Sequence, residues 1–568
     1  MIVLFIFSSV LEIVGIGAIA PFIELAGEPT SINRYPFLAK LLELSQITDE
    51  NRFVAILGLV AILLFCAKVF IAWLTQVVIF KFSCRQQKLL IERLLNRYLS
   101  AAYTYHLNKN SSFIIDNVTE VANRFTVIIQ PLFVAISNIF VATALFLLLW
   151  YTNSSIMLVL LAVLLPMVLL IHSLRQRIRA WGEEARRSKG QLIKTINHSF
   201  GGIKETKVIG CETYFQDEIS SQTRILEASQ VSFFNINTLP RYLVEVAMMT
   251  STIGIISFLL LVGNSIANLH GVLGVYALAS IRFLPAFTQA VSGINTLRNN
   301  SYTIDRIYFD LKELEPGSTL VYQTKNSLEA KNNLDKLTFK RSLVLDNVSY
   351  RYPSQPNYAI QNLSLTISKG GSIAFIGKSG AGKTTLVDII LGLLTASQGD
   401  IKVDGVSIYD DLRAWQNLVG YIPQSIFLSD DSIKHNIAFG VPDRLVDLDR
   451  LHQAIETAQL SEVVNNLPHG IETRVGERGV MLSGGQRQRV GIARALYHER
   501  EILILDEATA ALDNETEKLV ADAINSLSGK KTLIMIAHRL STVEKCDFIY
   551  HLNRGRLIES KGYQEVIK

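Results

Sequence analysis

Six long apolar stretches occupy the first half of this 568-residue chain, and they constrain its fold more than any other feature. They cover residues 1–26, 53–80, 126–151, 155–172, 243–262 and 269–291. A helix that crosses about 30 Å of hydrocarbon needs roughly 20 apolar residues, and each stretch is near that length. A soluble protein can bury one such helix, but six in one half predict an α-helical membrane domain.

The connections between these spans differ in charge. Residues 81–125 and 173–242 are long and rich in Lys and Arg, whereas the turns at 151–154 and 263–265 carry no charge. The positive-inside rule therefore predicts that the two basic connections are cytoplasmic, with everything after about residue 292. The first stretch lacks a basic leader and a small-residue cleavage site, so we expect a retained span rather than a secretory signal. The chain is expected to be a multi-pass protein of the cell inner (plasma) membrane.

Three charged residues lie within the spans, where charge is costly. Glu12 and Lys68 have opposite signs and similar depth, which predicts a structural ion pair between spans one and two. Arg282 has no obvious acidic partner at its depth. It shares a helix face with Gln289, Ser292 and Thr296. This polar stripe could line a cavity that attracts an anionic head group, or it could pack against another polar helix.

After the last span the composition becomes polar. Residues 301–342 are predicted to be a linker between a transmembrane domain at 1–300 and a second domain at 343–568. Short apolar runs at 372–376, 502–505 and 532–536 alternate with helical stretches in that second domain. This pattern predicts a compact α/β fold.

A glycine-rich loop follows the first of these runs. It reads Gly377-Lys378-Ser379-Gly380-Ala381-Gly382-Lys383-Thr384, with Thr385 after it. The glycines let backbone N–H groups surround the β- and γ-phosphates of a nucleotide, Lys383 adds a positive charge, and the Thr384 hydroxyl can bind Mg²⁺. Eight matching residues between a strand and a helix predict an ATP phosphate site.

The run at 502–505 ends in Asp506-Glu507. A carboxylate at the end of a buried strand suits Mg²⁺, so Asp506 is the predicted metal ligand. Glu507 is placed to polarise the attacking water as a general base.

Between the loop and the acidic strand lies Leu482-Ser483-Gly484-Gly485-Gln486. These three motifs in this order resemble the ATP-binding-cassette (ABC) family. The resemblance implies an exporter-type six-span membrane domain fused to a cytoplasmic P-loop ATPase domain. Thr473-Arg474-Val475-Gly476-Glu477-Arg478-Gly479 resembles the segment that distinguishes exporters from importers.

The resemblance also implies roles for further residues. Tyr352 looks like the aromatic that stacks on adenine, Gln424 like the glutamine that senses Mg²⁺, and His538 like the histidine that contacts the γ-phosphate. Ser483, Gly484, Gly485 and Gln486 would close on the ATP of a second chain, which implies a homodimer with composite ATP sites. Ala510 replaces a serine that the family often has, while Asp513 of the same motif is present.

Exporters of this family have two helical hairpins whose tips dock on the ATPase domains. The resemblance implies tips near 107–113 and 211–216, where polar or glycine breaks interrupt the helical pattern at 108–111 and 210–212. Tyr214 and Phe215 are the expected docking side chains, although ordinary core residues would give the same pattern.

Several functions fit these features. The stretch 98–107, followed by Asn110-Ser111, resembles PglK-like flippases of lipid-linked oligosaccharides, and Arg282 would suit their lipid pyrophosphate. A general lipid or multidrug exporter is the alternative. A soluble or nucleic-acid-associated ATPase conflicts with six spans and with a net charge of only +5. An importer lacks the long helical hairpins predicted here.

Overall fold

The computed structural model describes residues 2–27, 32, 36–45, 49–152, 165–166, 169–170, 172–261, 270–314, 337–353, 355–507, 514–537 and 543–561. The chain divides into two compact units. The first, here called the membrane unit, comprises Met1–Ala101 and Lys109–Tyr322. The second, the ATPase unit, comprises Ala102–Asn108 and Gln323–Lys568.

The described part of the membrane unit is helical. Its helices are α1 (Ile2–Gly27), α2 (Pro36–Ser45), α3 (Glu50–Leu99), α5 (Ser111–Asp116), α6 (Ala122–Thr152), α7 (Arg175–Gly201), α8 (Ile203–Ile209), α9 (Glu212–Leu261), α10 (His270–Asn299) and α11 (Ser301–Glu313). A short π-helical turn, Asn117–Val121, joins α5 to α6. The intervening helix α4 (Tyr103–Asn108) belongs to the ATPase unit.

Helices α1, α3, α6, α9 and α10 contain the described residues of five predicted spans, while the span predicted at 155–172 lies largely outside the described residues. By length and composition, Asn51–Leu99 and Ser111–Leu148 could each cross a membrane, and Val3–Gly15 is a shorter apolar helix. Helices α3 and α9 each have 50 residues. At the α-helical rise each is roughly 75 Å long, so both extend well beyond the hydrocarbon, as their sequences predict.

The breaks expected in the two basic connections are present. Asn110 caps α5 by accepting a hydrogen bond from the Ser112 backbone N–H at 3.0 Å. In the second connection α8 ends at Gly210, whose φ of +74° lies in the left-handed region. A helix cannot continue through this conformation, so α9 starts afresh at Glu212.

Close packing of α6 against α10 forms the largest helix contact in the membrane unit. It depends on Gly293, because a Cβ there would lie 2.4 Å from the Pro131 carbonyl oxygen and 2.6 Å from the Ala135 Cβ. A side chain at residue 293 would therefore force the two helices apart.

Helix α11, which lies within the predicted linker, packs in the membrane unit through a buried polar cluster. The Tyr98 hydroxyl donates to Asp310 Oδ2 at 2.7 Å, and Asn117 Nδ2 donates both to Asp310 and, at 2.8 Å, to the Tyr98 oxygen. Burial raises the pKa of Asp310, and the hydrogen bond from Tyr98 offsets part of that effect.

The ATPase unit contains two β-sheets. Their strands are β1 (Ser342–Tyr350), β2 (Ile360–Ser368), β3 (Ser372–Ile376), β4 (Gln398–Val403), β5 (Val406–Ser407), β6 (Val419–Ile422), β7 (Ile502–Asp506), β8 (Thr532–Ile536), β9 (Phe548–Asn553) and β10 (Arg556–Lys561). The helices after α4 are α12 (Lys383–Ile390), α13 (Leu412–Leu418), α14 (Ile433–Ile437), α15 (Leu448–Thr457), α16 (Ser461–Asn465), α17 (Gly484–Tyr497) and α18 (Asn514–Asn525).

The larger sheet explains how distant motifs meet. Its strand order is β10-β9-β3-β8-β7-β6, and β9, β3, β8, β7 and β6 are parallel. The apolar runs at 372–376, 502–505 and 532–536 form strands, as predicted. All five residues of β7 and all five residues of β8 are buried. Carboxyl ends of parallel strands share one edge, so the loops after β3, β6 and β7 leave the sheet together. The smaller sheet, β2-β1-β4-β5, is antiparallel.

Helix α4 corrects the predicted position of the first docking tip. The segment that groups with the ATPase unit is Ala102–Asn108, whereas Lys109 and the following residues group with the membrane unit. Tyr103 packs on the same apolar cluster as Tyr352. The prediction placed the tip at 107–113, around the polar break. The segment that groups with the ATPase unit lies earlier in the chain, at Ala102–Asn108, where Tyr103 is partly buried.

Candidate nucleotide and membrane sites

The glycine-rich loop adopts a conformation that admits few side chains. Gly377 has φ +153° and a Cβ there would lie 2.3 Å from the Leu552 carbonyl oxygen, while Gly382 has φ +102° and its Cβ would lie 2.7 Å from the Ala359 oxygen. Lys383 is buried beneath the loop, and its Nζ donates to the carbonyls of Gly377 at 2.8 Å and Lys378 at 3.2 Å. The loop thus encloses an ammonium group, as a phosphate site requires.

The two ends of this loop differ in exposure. Lys378, Ser379 and Gly380 form its exposed crown, and Ala381 is buried. Helix α12 begins at Lys383 as predicted, which leaves the Thr384 side chain exposed in its first turn. A helix N-terminus with an exposed hydroxyl in its first turn suits an anion with its bound cation.

Tyr352 lies beside this helix. Its hydroxyl is 3.2 Å from Thr385 Oγ1, and its ring meets the edge of Tyr350 with the centroids 5.0 Å apart. Tyr350 is a buried residue of β1. The half-buried Tyr352 ring is therefore held at the phosphate loop, and its contact with adenine stays a prediction.

The acid pair stands at the end of β7. Asp506 is buried, and Glu507 has φ +48°, a left-handed conformation that turns the chain sharply out of the sheet. Gln424 Nε2 donates to Glu507 Oε2 at 2.6 Å. The structure thus joins the predicted sensing glutamine to the predicted general base.

Tyr421 is a member of this site that the sequence analysis missed. Its hydroxyl donates to Asp506 Oδ2 at 3.3 Å. It lies on β6, where Val419, Gly420 and Ile422 are buried and Tyr421 is exposed. A tyrosine among buried residues, three positions before Gln424, was the available signal.

Asp388 is a second missed residue. Burial, and then the neighbouring charge of Asp506, raises its pKa to about 6. Partial burial of the Tyr421 hydroxyl, followed by the charge of Asp506, raises the pKa of Tyr421. Crowded carboxyl groups of this kind favour a bound cation, and the Thr384 hydroxyl, the Gln424 amide and the Asp506 carboxylate are oxygen ligands of the type that Mg²⁺ prefers. The residues present fit the predicted metal.

The Leu482–Gln486 motif starts helix α17. Ser483 Oγ accepts from the Gln486 N–H at 3.3 Å, and Gln486 Oε1 accepts from the Ser483 N–H at 2.9 Å, which forms a capping box. Ser483 and Gly484 are exposed, whereas Gly485 is buried. The helix N-terminus is therefore presented to solvent, where a second chain could meet it.

Helix α17 also contacts the loop that carries Gln424. Gln488 Nε2 donates to the Gln424 carbonyl at 2.9 Å. The sequence analysis missed this contact, because Gln488 has no motif role of its own. His538, Ala510 and Asp513 lie outside the described residues.

In the membrane unit the predicted Glu12–Lys68 pair is confirmed, with Lys68 Nζ 2.6 Å from Glu12 Oε1. The expectation that Arg282 has no acidic partner is wrong. Arg282 Nε donates to the same Glu12 oxygen at 2.7 Å. Sequence depth could not show this, because helix packing brings α10 and α3 to one residue of α1.

The polar stripe on α10 contacts other helices and is also accessible. Gln289 Oε1 accepts from Asn138 of α6 at 3.1 Å, and Ser292 Oγ accepts from Asn237 of α9 at 3.0 Å. Gln289 is nevertheless exposed. The alternative of packing against other helices is thus realised at Gln289 and Ser292, whereas a cavity that attracts an anionic head group stays a prediction.

Tyr214 and Phe215, the expected docking residues of the second tip, pack edge to face with their centroids 5.2 Å apart. The Tyr214 residue is 65% exposed, which excludes the core alternative for it within the membrane unit.

Comparison with known proteins places both halves of the chain. Residues 2–280 match the family model of the ABC transporter transmembrane region, and residues 360–510 match that of the ABC transporter ATPase. The chain is 32% identical over 487 residues to an ATP-dependent lipid A-core flippase of Cupriavidus metallidurans, covering 84% of this chain and 78% of the relative. It is 40% identical over 252 residues to the heterocyst differentiation ATP-binding protein HepA of Nostoc, covering 44% and 41%.

Among solved structures, a bacterial Atm1-family ABC exporter with ATP bound aligns with 100% of this chain and 95% of its own, at a TM-score of 0.76 and 24% identity. At that identity the likeness concerns the fold. The described geometry, the two family matches and the flippase relative that aligns over 487 residues all indicate the same family. The chain belongs to the ABC transporters, as an exporter whose transmembrane region is fused to its ATPase domain, and it couples ATP hydrolysis to transport.

Proposed function

We propose that this exporter is a flippase of the inner membrane that moves a lipid carrying a phosphate or pyrophosphate group, such as a lipid-linked oligosaccharide. The observation that carries the proposal is Arg282, a cation in the middle of a predicted span whose side chain remains 39% exposed. A charge at this depth is costly. Binding of a phosphate group offsets that cost through charge-assisted hydrogen bonds, whereas binding of a neutral drug does not. The long relative named as a lipid A-core flippase supports a lipid substrate.

The working unit is a homodimer in this proposal. Each chain has one phosphate loop and one exposed helix start at Ser483-Gly484. The helix start of one chain would complete the γ-phosphate site at the phosphate loop of the other chain. Two identical chains would form two equal sites, with the ATPase domains in the cytoplasm.

Within each site, ATP hydrolysis is assigned to a general base and its neighbours. The Glu507 carboxylate accepts a proton from the attacking water, and Gln424 orients that carboxylate through the 2.6 Å hydrogen bond. Asp506, Thr384 and Gln424 would hold Mg²⁺, which supplies positive charge to the phosphates. Lys383 neutralises charge on the transferred group, and His538 would contact the γ-phosphate, as the family resemblance implies.

The test is ATP-dependent movement of a fluorescent polyprenyl-pyrophosphate saccharide in reconstituted vesicles. We expect Arg282→Ala to reduce movement of this lipid about tenfold or more, and to reduce ATP hydrolysis much less. Arg298→Ala is the matched control, since Arg298 lies on the same helix beyond the predicted span.

Equal lipid movement by the Arg282 variant would contradict the head-group assignment. The alternative function, a general lipid or multidrug exporter, predicts that uncharged amphipaths are transported as well as the pyrophosphate lipid. ATPase stimulation by a panel of charged and uncharged lipids separates the two.

A further inference from the structure

Three charged side chains from three helices meet at one buried carboxylate oxygen in the membrane unit. Glu12 Oε1 lies 2.6 Å from Lys68 Nζ and 2.7 Å from Arg282 Nε. The three residues fall near the middle of their predicted spans. We call Glu12, Lys68 and Arg282 the charge cluster.

The members of the charge cluster differ in access. The side chain of Glu12 is 1% exposed and that of Lys68 is 8% exposed, whereas Arg282 retains 39%. The Lys68 ammonium also lies 5.0 Å from the centroid of the Phe65 ring, which helps to hold it inside. Only Arg282 can therefore meet a ligand.

Hydrogen bonding orients Arg282 for that contact. Its Nε donates to Glu12, and among the described residues no hydrogen bond or ion pair involves its two terminal nitrogens. A guanidinium fixed by Nε presents those terminal N–H groups as a fork, which matches two oxygens of a phosphate.

The charge balance requires Lys68. Two cations against one carboxylate leave one positive charge. Without Lys68, Glu12 would cancel the charge of Arg282, and the attraction for an anion would fall. In hydrocarbon such an excess charge is costly unless an anion compensates it.

We propose that Glu12 and Lys68 are positioning residues that orient and charge Arg282 for bidentate binding of a lipid phosphate. This rests on the proposed function for the substrate class and adds two residues to its site. Glu12 holds the fork and Lys68 neutralises Glu12.

The experiment uses the purified full-length chain in lipid nanodiscs and measures binding of dioleoyl phosphatidic acid against dioleoylglycerol, which has the same tails and no phosphate. Lys68→Met makes the charge cluster neutral and leaves Arg282 in place. We expect it to bind phosphatidic acid roughly tenfold more weakly, since one unit charge is removed a few ångströms away.

A double variant provides the rescue. Glu12→Gln with Lys68→Met restores the single positive charge and keeps an oxygen acceptor for Arg282 Nε, so phosphatidic acid binding should return to near the wild-type level. Arg282→Ala should lose the preference over dioleoylglycerol. Thermal stability of each variant confirms that it is folded.

Two results would overturn the proposal: Lys68→Met binding phosphatidic acid as well as the wild type, or the double variant remaining as weak as Lys68→Met. The second result would mean that Lys68 acts through packing rather than charge. If binding follows the expected order while vesicles move no pyrophosphate lipid, the charge cluster stands and the substrate proposed above is wrong.

Discussion

The functional carboxylates of the ATPase unit and of the membrane unit have opposite kinds of neighbour. In the ATPase unit Asp506 and Glu507 receive hydrogen bonds from the neutral side chains of Tyr421 and Gln424. In the membrane unit Glu12 is shared by two cations. The first arrangement suits a cation and an attacking water, and the second suits an anion. Each site is thus built for the charge that its proposed ligand supplies.

The largest effect is expected at Glu507 of the ATPase unit. We expect Glu507→Gln to lower ATP hydrolysis by about a hundredfold or more, because the amide cannot accept the proton from water. ATP binding should persist, since the phosphate loop is unchanged. Steady-state phosphate release and nucleotide binding measure the two effects. Near-normal hydrolysis would reject the assignment of the base.

The close packing of α6 against α10 in the membrane unit is tested by Gly293→Leu. A leucine side chain would collide with Pro131 and Ala135 of α6, and we expect a loss of about 1–3 kcal/mol, seen as a lower melting temperature in detergent. Gly254→Leu is the control, because a Cβ at Gly254 meets nothing within 4 Å. Equal melting of the two variants would mean that the α6–α10 contact is not tight.

The neutral donor at Asp506 is tested by Tyr421→Phe. Losing the hydroxyl should raise the Mg²⁺ concentration for half-maximal hydrolysis by roughly threefold to tenfold, as removal of a group behind a metal ligand does. Nucleotide binding in EDTA should be unchanged. Tyr409→Phe removes another partly buried hydroxyl, which accepts from the Ala396 N–H, and should leave the Mg²⁺ dependence unaltered. A shift shared by both variants would indicate general loosening.

A smaller effect is expected at His435, the surface counterpart of these clusters. Its Nδ1 lies 2.9 Å from Asp431 and its Nε2 3.0 Å from Asp443, and Lys434 and Glu472 lie alongside. Hydrogen bonds to Asp431, then to Asp443, raise the pKa of His435 above its ordinary value.

A raised histidine pKa means that the folded state holds its proton more tightly. The resulting stabilisation is fully present below about pH 6.5, the unfolded value, and is lost as the pH rises through the folded value. His435→Gln should therefore melt about one to two degrees lower than the wild type at pH 6, with the gap closing by pH 9. A gap that does not depend on pH would contradict the ionic origin.

The ATPase unit was largely predictable from sequence because its chemistry is local. A strand, a glycine loop and a helix start follow one another at Ser372–Ile376, Gly377 and Lys383, so adjacent residues define the phosphate site. Tyr421 and Gln488 escaped notice because their partners are distant in sequence and meet only through the order of the parallel strands and the packing of α17.

The membrane unit was predictable in its spans and less so in its contacts. Hydropathy shows that Glu12, Lys68 and Arg282 are costly, but only helix packing decides which of them touch. Depth alone predicted the Glu12–Lys68 pair correctly and failed for Arg282, which comes from a helix far along the chain. Aromatic burial likewise moved the first docking segment to Tyr103–Asn108.

The proposed mechanism requires two copies of the chain to close around ATP. The most direct test of this requirement is to measure the mass and the nucleotide content of Glu507→Gln particles in detergent with ATP and Mg²⁺. We predict particles of two chains that retain two nucleotides, and loss of that retention when Ser483→Arg is added. Wild-type hydrolysis by particles that contain a single chain would contradict the account.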